Sequence, residues 1–388
     1  MPIKRSKKII SVIGGLSIDS IYNISQLPER GACVRSKKYK ELGGRGTNIA
    51  IAAYRSFHET PDTPDGQLPE DIQDETDDED DIEVRIVGAV DSDDRNEQFT
   101  TLFHQNGVRA NGIRVFKDRD DSMPAVWGQR EYSEEVSIVD GETGRARQLF
   151  TPGVADMWEP EHFETIESLG AGVRPDLVVT TMELRREVVE KIIHTAYNAG
   201  VEVIVYGSPA TQIVSDCFEK ITHYICNEGD AAILLGYDKG DVYWDTWAEV
   251  TETLARKGVK NIVLTLGPAG VYYRNGQEHG YVSGFRKLGE IKDSSGLTAA
   301  FAGAYAVDYV KPKESETWDI KAAAERGVKA SALKLLKLGS RNSLPWADEI
   351  DEFDEEPLFQ SLEELLELSE KARKGDRAFI FRRTRQQE

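Results

Sequence analysis

A chain of 388 residues with 39% hydrophobic residues can bury the core of one large α/β domain or of two ordinary ones. No run of about 18 apolar residues offers a membrane span, and no basic stripe with interleaved aromatics offers a nucleic-acid surface, so neither is an expected partner. The formal net charge of −20 is concentrated: residues 58–83 hold thirteen Asp or Glu and no Lys or Arg, which leaves −7 for the rest.

At the start, MPIKRSKKIISVIGG joins a basic opening to an apolar run too short for a secretory leader and without a cleavage site. Residues 9–15 are therefore expected to form a first buried strand. GGLSIDSIYN (14–23) puts Asp19 just after it, where a carboxylate caps a turn or accepts hydrogen bonds from substrate hydroxyls. ELGGRGTNIAIAAYR (41–55) sets Gly43, Gly44 and Gly46 before a helix, with Asn48 in its first turn. Such a stretch is either a plain tight turn or a place where backbone closely approaches a ligand, Asn48 then offering two donors and an acceptor. Residues 58–83 are rich in Pro and acid and cannot offset their own ordering entropy. They read as a disordered surface insertion, with docking of a protein partner as the alternative.

Further along, EVRIVGAV (83–90), DLVVTTM (176–182), VEVIVYGS (201–208), THYICN (222–227) and NIVLTLG (261–267) read as strands. Several are nearly all apolar, as in a parallel sheet covered on both faces. NIAIAAYRSF (48–57), RREVVEKIIHTAYNAG (185–200) and DTWAEVTETLARKG (245–258) read as helices, with Gly200 and Gly258 where C-caps fall. This alternation predicts a layered α/β fold with a mainly parallel sheet, its ligands beyond the carboxyl ends of the strands. Two stretches, 21–42 and 113–150, break the rhythm as short antiparallel strands and are expected to form a small flap over the site. KDSSGLTAAFAGAY (292–305) follows Asp293 with two serines, a glycine and a small-residue helix, whose free N–H groups would face an anion. SLEELLELSEKARKG (361–375) is an amphipathic helix before a basic tail, RAFIFRRTRQQE. The three cysteines, Cys33, Cys217 and Cys226, lack metal-ligand spacing and suit a reducing compartment, so the cytoplasm is expected, with the nucleus left open.

In this order, GGLSID, LGGRGTN, YICNEGDAAILLG, TLGPAGVYY, DSSGLTAAFAG and GSRNSLPWADEI resemble the ribokinase-like (PfkB) family of carbohydrate kinases, from about residue 9 to about residue 353. The last motif points towards the ribokinases within that family. The resemblance implies a three-layer fold: a mainly parallel central sheet flanked by helices, with a β flap, or lid, from about 16–42 and 110–150. The family domain would span 1–356, leaving a C-terminal helix and tail over 357–388. Implied cofactors are ATP with magnesium and a monovalent cation, usually potassium. The implied partner is a sugar or nucleoside, and a homodimer through the flap is in keeping with the family.

Carried over position by position, the resemblance makes Asp19, Gly43, Gly44 and Asn48 substrate-binding, although Ser17 and Arg45 stand where ribokinases have asparagine and lysine. Asn227 and Asp230 fall on an Asn-x-x-Glu motif that organises magnesium, water and phosphate, Asp being one methylene shorter than Glu. Thr265, Gly267 and Gly270 match the nucleotide turn; Asp293 and Ser295 match the monovalent-cation site. The signature Asp-Thr-x-Gly-Ala-Gly-Asp reads here Asp293-Ser294-Ser295-Gly296-Leu297-Thr298-Ala299. Gly296, Leu297 and Thr298 thus form the implied anion hole, and the position of the catalytic base is Ala299. A methyl group accepts no proton, and losing a general base costs about 10²–10⁴ in rate. The expected function is binding of ATP and a sugar- or nucleoside-like ligand with phosphate transfer weak or lost, as in a pseudokinase. An active carbohydrate kinase using a different base is the alternative.

Overall fold

The computed structural model describes residues 7–63, 82–116, 132–141, 146–238, 241–276, 278–285, 291–311 and 318–375. Most of the acidic stretch, part of the flap and the basic tail lie outside the described residues.

The first third of the chain gives β1 (Lys8–Ile13), β2 (Ser17–Ile24), β3 (Lys37–Gly43), α1 (Arg45–Arg55), β4 (Ile82–Val90), α2 (Asp93–His104), β5 (Arg109–Val115), β6 (Glu134–Asp140) and β7 (Ala146–Thr151). The middle adds α3 (Ile166–Leu169), β8 (Leu177–Thr181), α4 (Arg186–Asn198), β9 (Glu202–Tyr206), β10 (His223–Asn227), α5 (Glu228–Leu235), α6 (Trp247–Arg256) and β11 (Asn261–Thr265). The hairpin β12 (Gly270–Asn275) and β13 (Glu278–Ser283) precedes α7 (Leu297–Val310), α8 (Ile320–Leu335), α9 (Ala347–Glu352) and α10 (Leu362–Gly375).

Nine strands form one sheet in the order β13-β12-β11-β10-β9-β8-β1-β4-β5. Pairing is parallel from β11 to β5 and antiparallel in the β12–β13 hairpin. The central strands are buried on both faces, β8 along its whole length, which is why they read as continuous apolar runs. One face packs Val12 and Ile86 against Ile49 of α1 and Phe301 and Ala304 of α7. The other packs Val178, Val203 and Ile262 against Val188 and Ile192 of α4, Leu254 of α6 and Leu365 of α10. The result is the expected three-layer arrangement, with strand bounds within two residues of the sequence reading.

The flap differs from expectation in two respects. Its four strands are ordered β3-β2-β6-β7, and the central pair β2–β6 runs parallel rather than antiparallel. Residues from 110 onward, assigned to the flap by sequence, begin with β5, which pairs with β4 in the large sheet. The reason is the intervening α2: a strand–helix–strand crossover returns to the same sheet, and only the next strand is free to leave it.

On β10, His223 is fully buried, with ring centroids 4.3 Å from Tyr309 and 5.3 Å from Trp318, and its Nδ1 lies 3.0 Å from the Tyr305 hydroxyl. Burial, helped by the Lys260 ammonium, lowers the imidazole pKa to about 3. Since the unfolded chain takes up this proton near pH 6.5 and the folded one does not, stability falls as pH drops through that window. Between pH 7 and pH 4 the predicted loss from this group is about 3 kcal/mol. Urea titrations across that range should show a shallower acid limb for His223→Leu than for the unmodified protein.

Candidate active site

The site is assembled where β1, β8, β10 and β11 end and α1, α5 and α7 begin. The chain leaves β1 for β4 on one side and returns to β8 on the other, so a crevice opens at this switch point. Gly14 and Gly15 follow β1, and α1 is pressed onto them. A Cβ on Gly46 would lie 2.7 Å from the Gly14 carbonyl carbon, and the N-cap Gly44 has φ 99°. Backbone contact at this distance admits no side chain, which accounts for the glycine-rich sequence there.

Residues that touch a sugar by resemblance do come together, and they join a buried charge cluster that sequence did not foresee. The register of β2 and β6 sets Asp19 beside Glu135 on the flap. Asp19 lies against Gly43, where a Cβ would collide with its carboxylate. Ser17 Oγ donates to Asp19 Oδ1 at 2.8 Å. Ser340 Oγ lies 2.9 Å from Asp19 Oδ2 and 2.8 Å from Glu41 Oε1. One hydroxyl carries one proton and cannot donate to both. Burial, reinforced by Glu135, pushes the Asp19 pKa well up. Arg45, where the resemblance expects lysine, places Nη1 3.0 Å from Glu135 Oε2 and 3.0 Å from Glu183 Oε1. Glu183 follows β8 and also accepts from the Gly15 N–H at 3.0 Å. The two carboxylates raise the guanidinium pKa against its burial. Among the described residues the Asn48 Oδ1, also buried, has no hydrogen-bond partner and is free to accept one from a ligand hydroxyl.

At the carboxyl end of β10, Asn227 caps α5 by accepting from the Asp230 N–H at 2.8 Å, and its amide donates to Asp230 Oδ2 at 2.5 Å. Asp230 also accepts from Ser208 and from the Ala210 N–H; burial raises its pKa despite these bonds. Thr265 at the end of β11 donates to the Cys226 carbonyl at 3.2 Å. Gly267 has φ 59° and open space where a Cβ would point, whereas a Cβ on Gly270 would collide with the Val282 carbonyl of the hairpin. Gly267 therefore borders free volume and Gly270 serves the fold.

Gly296 caps α7 with φ 74°, and a Cβ there would collide with the Ser340 carbonyl. Leu297 and Thr298 are half-buried in the first turn and Ala299 is buried behind them. Thr298 is hydrogen-bonded to the Tyr206 hydroxyl, whose pKa burial pushes up to about 12. The flap reaches this turn: the Ala146 N–H of β7 donates to Ser294 Oγ at 3.1 Å. Asp293 is fully buried; it accepts from the Ser295 N–H at 2.8 Å, the Ser295 hydroxyl at 2.7 Å and the Gly339 N–H at 3.0 Å. Lys334, unremarked in the sequence, is also fully buried and donates to the Asp293 main-chain carbonyl at 2.9 Å. Burial lowers its pKa to about 8 although Asp293 opposes the shift.

A lidded, mainly parallel α/β sheet has glycine turns and helix N-termini converging at its switch point. The model of the pfkB family carbohydrate kinases matches residues 7–347, and the chain belongs to that family. Among solved structures, ribokinase from Giardia lamblia matches with a TM-score of 0.69 at 18% identity, over 89% of this chain and 98% of that one. Arabidopsis thaliana ribokinase complexed with ribose and ATP matches with a TM-score of 0.67 at 16% identity, over 90% and 100%. Ribokinase from Cryptococcus neoformans var. grubii in complex with ADP matches with a TM-score of 0.66 at 17% identity, over 89% and 99%. At these identities the likeness establishes the fold. No curated protein matches the chain significantly. Among the described residues no helix is long and apolar enough to cross a membrane.

Removing Arg45 leaves two buried carboxylates without their counter-charge. Arg45→Met is predicted to destabilise the protein by about 3–5 kcal/mol in urea titrations, and adding Glu135→Gln and Glu183→Gln should return much of that loss.

Proposed function

We propose that this protein binds an adenine nucleotide and a sugar- or nucleoside-like ligand, and that it transfers phosphate weakly or not at all. The observation that carries this reading is Ala299 at the position that the resemblance gives to the base, while the nearby carboxylates each hold other groups. Asp293 is held by Ser295 and Gly339, Asp230 by Asn227, Ser208 and Ala210, and Asp19 by Ser17 and Ser340. Glu135 and Glu183 share Arg45. A proton acceptor must lie within hydrogen-bond reach of the reacting hydroxyl, and the first turn of α7 carries no acidic residue.

The sugar or nucleoside would sit under the flap, its hydroxyls meeting Asp19 and the unpartnered Asn48 Oδ1, with Gly43 and Gly44 as the floor. Thr265 and Gly267 would border the nucleotide, with Gly270 holding their turn to the hairpin, and the phosphates would face the first turn of α7 at Gly296, Leu297 and Thr298. Asn227 and Asp230 would hold the water shell of magnesium, which neutralises phosphate charge when bound. The ribokinases of like fold complexed with ATP or ADP support the nucleotide. A homodimer through the flap, whose strands carry the exposed Tyr39 and Leu149, belongs to the same proposal.

Two measurements test this reading. Millimolar ATP or ADP with magnesium should raise Tm by a few degrees, and Gly267→Asn should remove the rise. Asparagine tolerates the left-handed backbone while its side chain fills the open volume. No rise in the unmodified protein would overturn nucleotide binding. The second is a sensitive ADP-release assay over ribose, nucleosides and other sugars, with potassium and magnesium present. The unmodified protein should be nearly silent, Ala299→Asp should give a modest gain, and Ala299→Asp with Leu297→Ala and Thr298→Gly should exceed the separate gains combined. Turnover of the unmodified protein at about 1–100 s⁻¹, as for ordinary kinases, would favour the active-kinase alternative and refute this one.

A further inference from the structure

Lys334 lies in the last turn of α8, on a stripe that includes Ile320, Ala323 and Gly327 and faces the protein interior. Its side chain is fully buried, as is that of Asp293. The ammonium donates to the main-chain carbonyl of Asp293 at 2.9 Å and stands 3.8 Å from its Oδ2. Around it close the segment 291–296 leading to α7, the end of α8 and the loop 339–343. The Lys292 N–H donates to the Leu335 carbonyl at 2.9 Å, the Gly339 N–H to Asp293 Oδ2, and the Ser343 hydroxyl to the Gly339 carbonyl. The Asp293 carboxylate and the Lys334 ammonium are therefore paired inside the fold, both fully buried, with Glu41 adding negative charge nearby.

Family resemblance assigns Asp293 and Ser295 to a free monovalent cation, and the residues present do not fit one. A potassium ion there would be a second positive charge against a single buried carboxylate, and burying an unpaired charge costs several kcal/mol. The Asp293 main-chain carbonyl and carboxylate already face the Lys334 ammonium, at 2.9 and 3.8 Å. We propose that the Lys334 ammonium is the resident cation of this turn. It joins α8 and the 339–343 loop to the start of α7 by a covalently tethered charge, so the turn is independent of added potassium. This holds whether or not phosphate transfer survives.

The full-length protein without ligand provides the test, by Tm in about 150 mM potassium chloride against the same concentration of N-methyl-D-glucamine chloride, which keeps screening equal. A cation present at a hundredfold excess over its dissociation constant raises Tm by several degrees. The unmodified protein should differ by less than about 1 °C between the two salts. Lys334→Ala, which frees space and leaves Asp293 uncompensated, should melt lower in N-methyl-D-glucamine and regain several degrees in potassium. Lys334→Met, which fills that space with an apolar chain, should melt lower in both salts alike. A rise of several degrees with potassium in the unmodified protein would overturn the assignment even if neither variant folds. So would a Lys334→Ala protein as stable as the unmodified one in N-methyl-D-glucamine.

Discussion

The site depends on how closely two backbones meet. The end of β1 at Gly14 and Gly15 and the start of α1 at Gly46 touch main chain to main chain. That contact fixes the first residue of α1, Arg45, at the centre of the crevice. Its guanidinium then reaches Glu135 on the flap and Glu183 beyond β8, and so links helix, flap and sheet through one group. Taking three charges out of water is costly unless each finds its partners. The Gly15 N–H, the Thr181 hydroxyl and the Gln148 amide satisfy the remaining carboxylate lone pairs. A side chain at position 46 would push α1 outward and separate charges that are tolerable only together.

Much of the scaffold was legible because it rests on local or periodic signals. The apolar runs of β4, β8, β9, β10 and β11 announce strands covered on both faces, and Gly200 and Gly258 adopt the positive φ that helix ends favour. The flap was half legible: its strands were visible, but pairing between β2 and β6 joins residues more than a hundred positions apart, and no local pattern sets its direction. β5 was misassigned because its polar, glycine-containing sequence resembles an exposed strand, and an edge strand of the main sheet is exposed in the same way.

Within the site, the glycine turns and Asp19 were legible, whereas the partners of the buried charges were not. Glu135 and Glu183 are ordinary glutamates in sequence; only the meeting of the flap with β8 makes them counter-ions of Arg45. A weak signal did exist at Glu135, since EEVSIVD alternates and its buried members are Glu135, Ser137 and Val139. Lys334 carried a stronger one. Its spacing from Ile320, Ala323 and Gly327 puts a lysine on the buried stripe of α8, a register that lysine occupies only when an acceptor waits inside.

That acceptor also bears on the anion hole. The first turn of α7 attracts anions through its free N–H groups and the positive end of its dipole, equivalent to about half a charge. Asp293, four residues before Leu297, is a full negative charge buried beside that end, and alone it would more than cancel the attraction. In a poorly solvated interior little screens the conflict. With the Lys334 ammonium 3.8 Å from the carboxylate, the pair is neutral at distances beyond its own length, and the helix end again presents a net positive field. Asp293 is then free to do what its geometry suits: accept from Ser295 and Gly339 and hold the turn in shape. On the proposed reading, the turn would keep an anion-binding end even with Ala299 at the position that the resemblance gives to the base, because binding would draw on backbone and a compensated ion pair, whereas proton transfer would need a carboxylate that Ala299 does not supply.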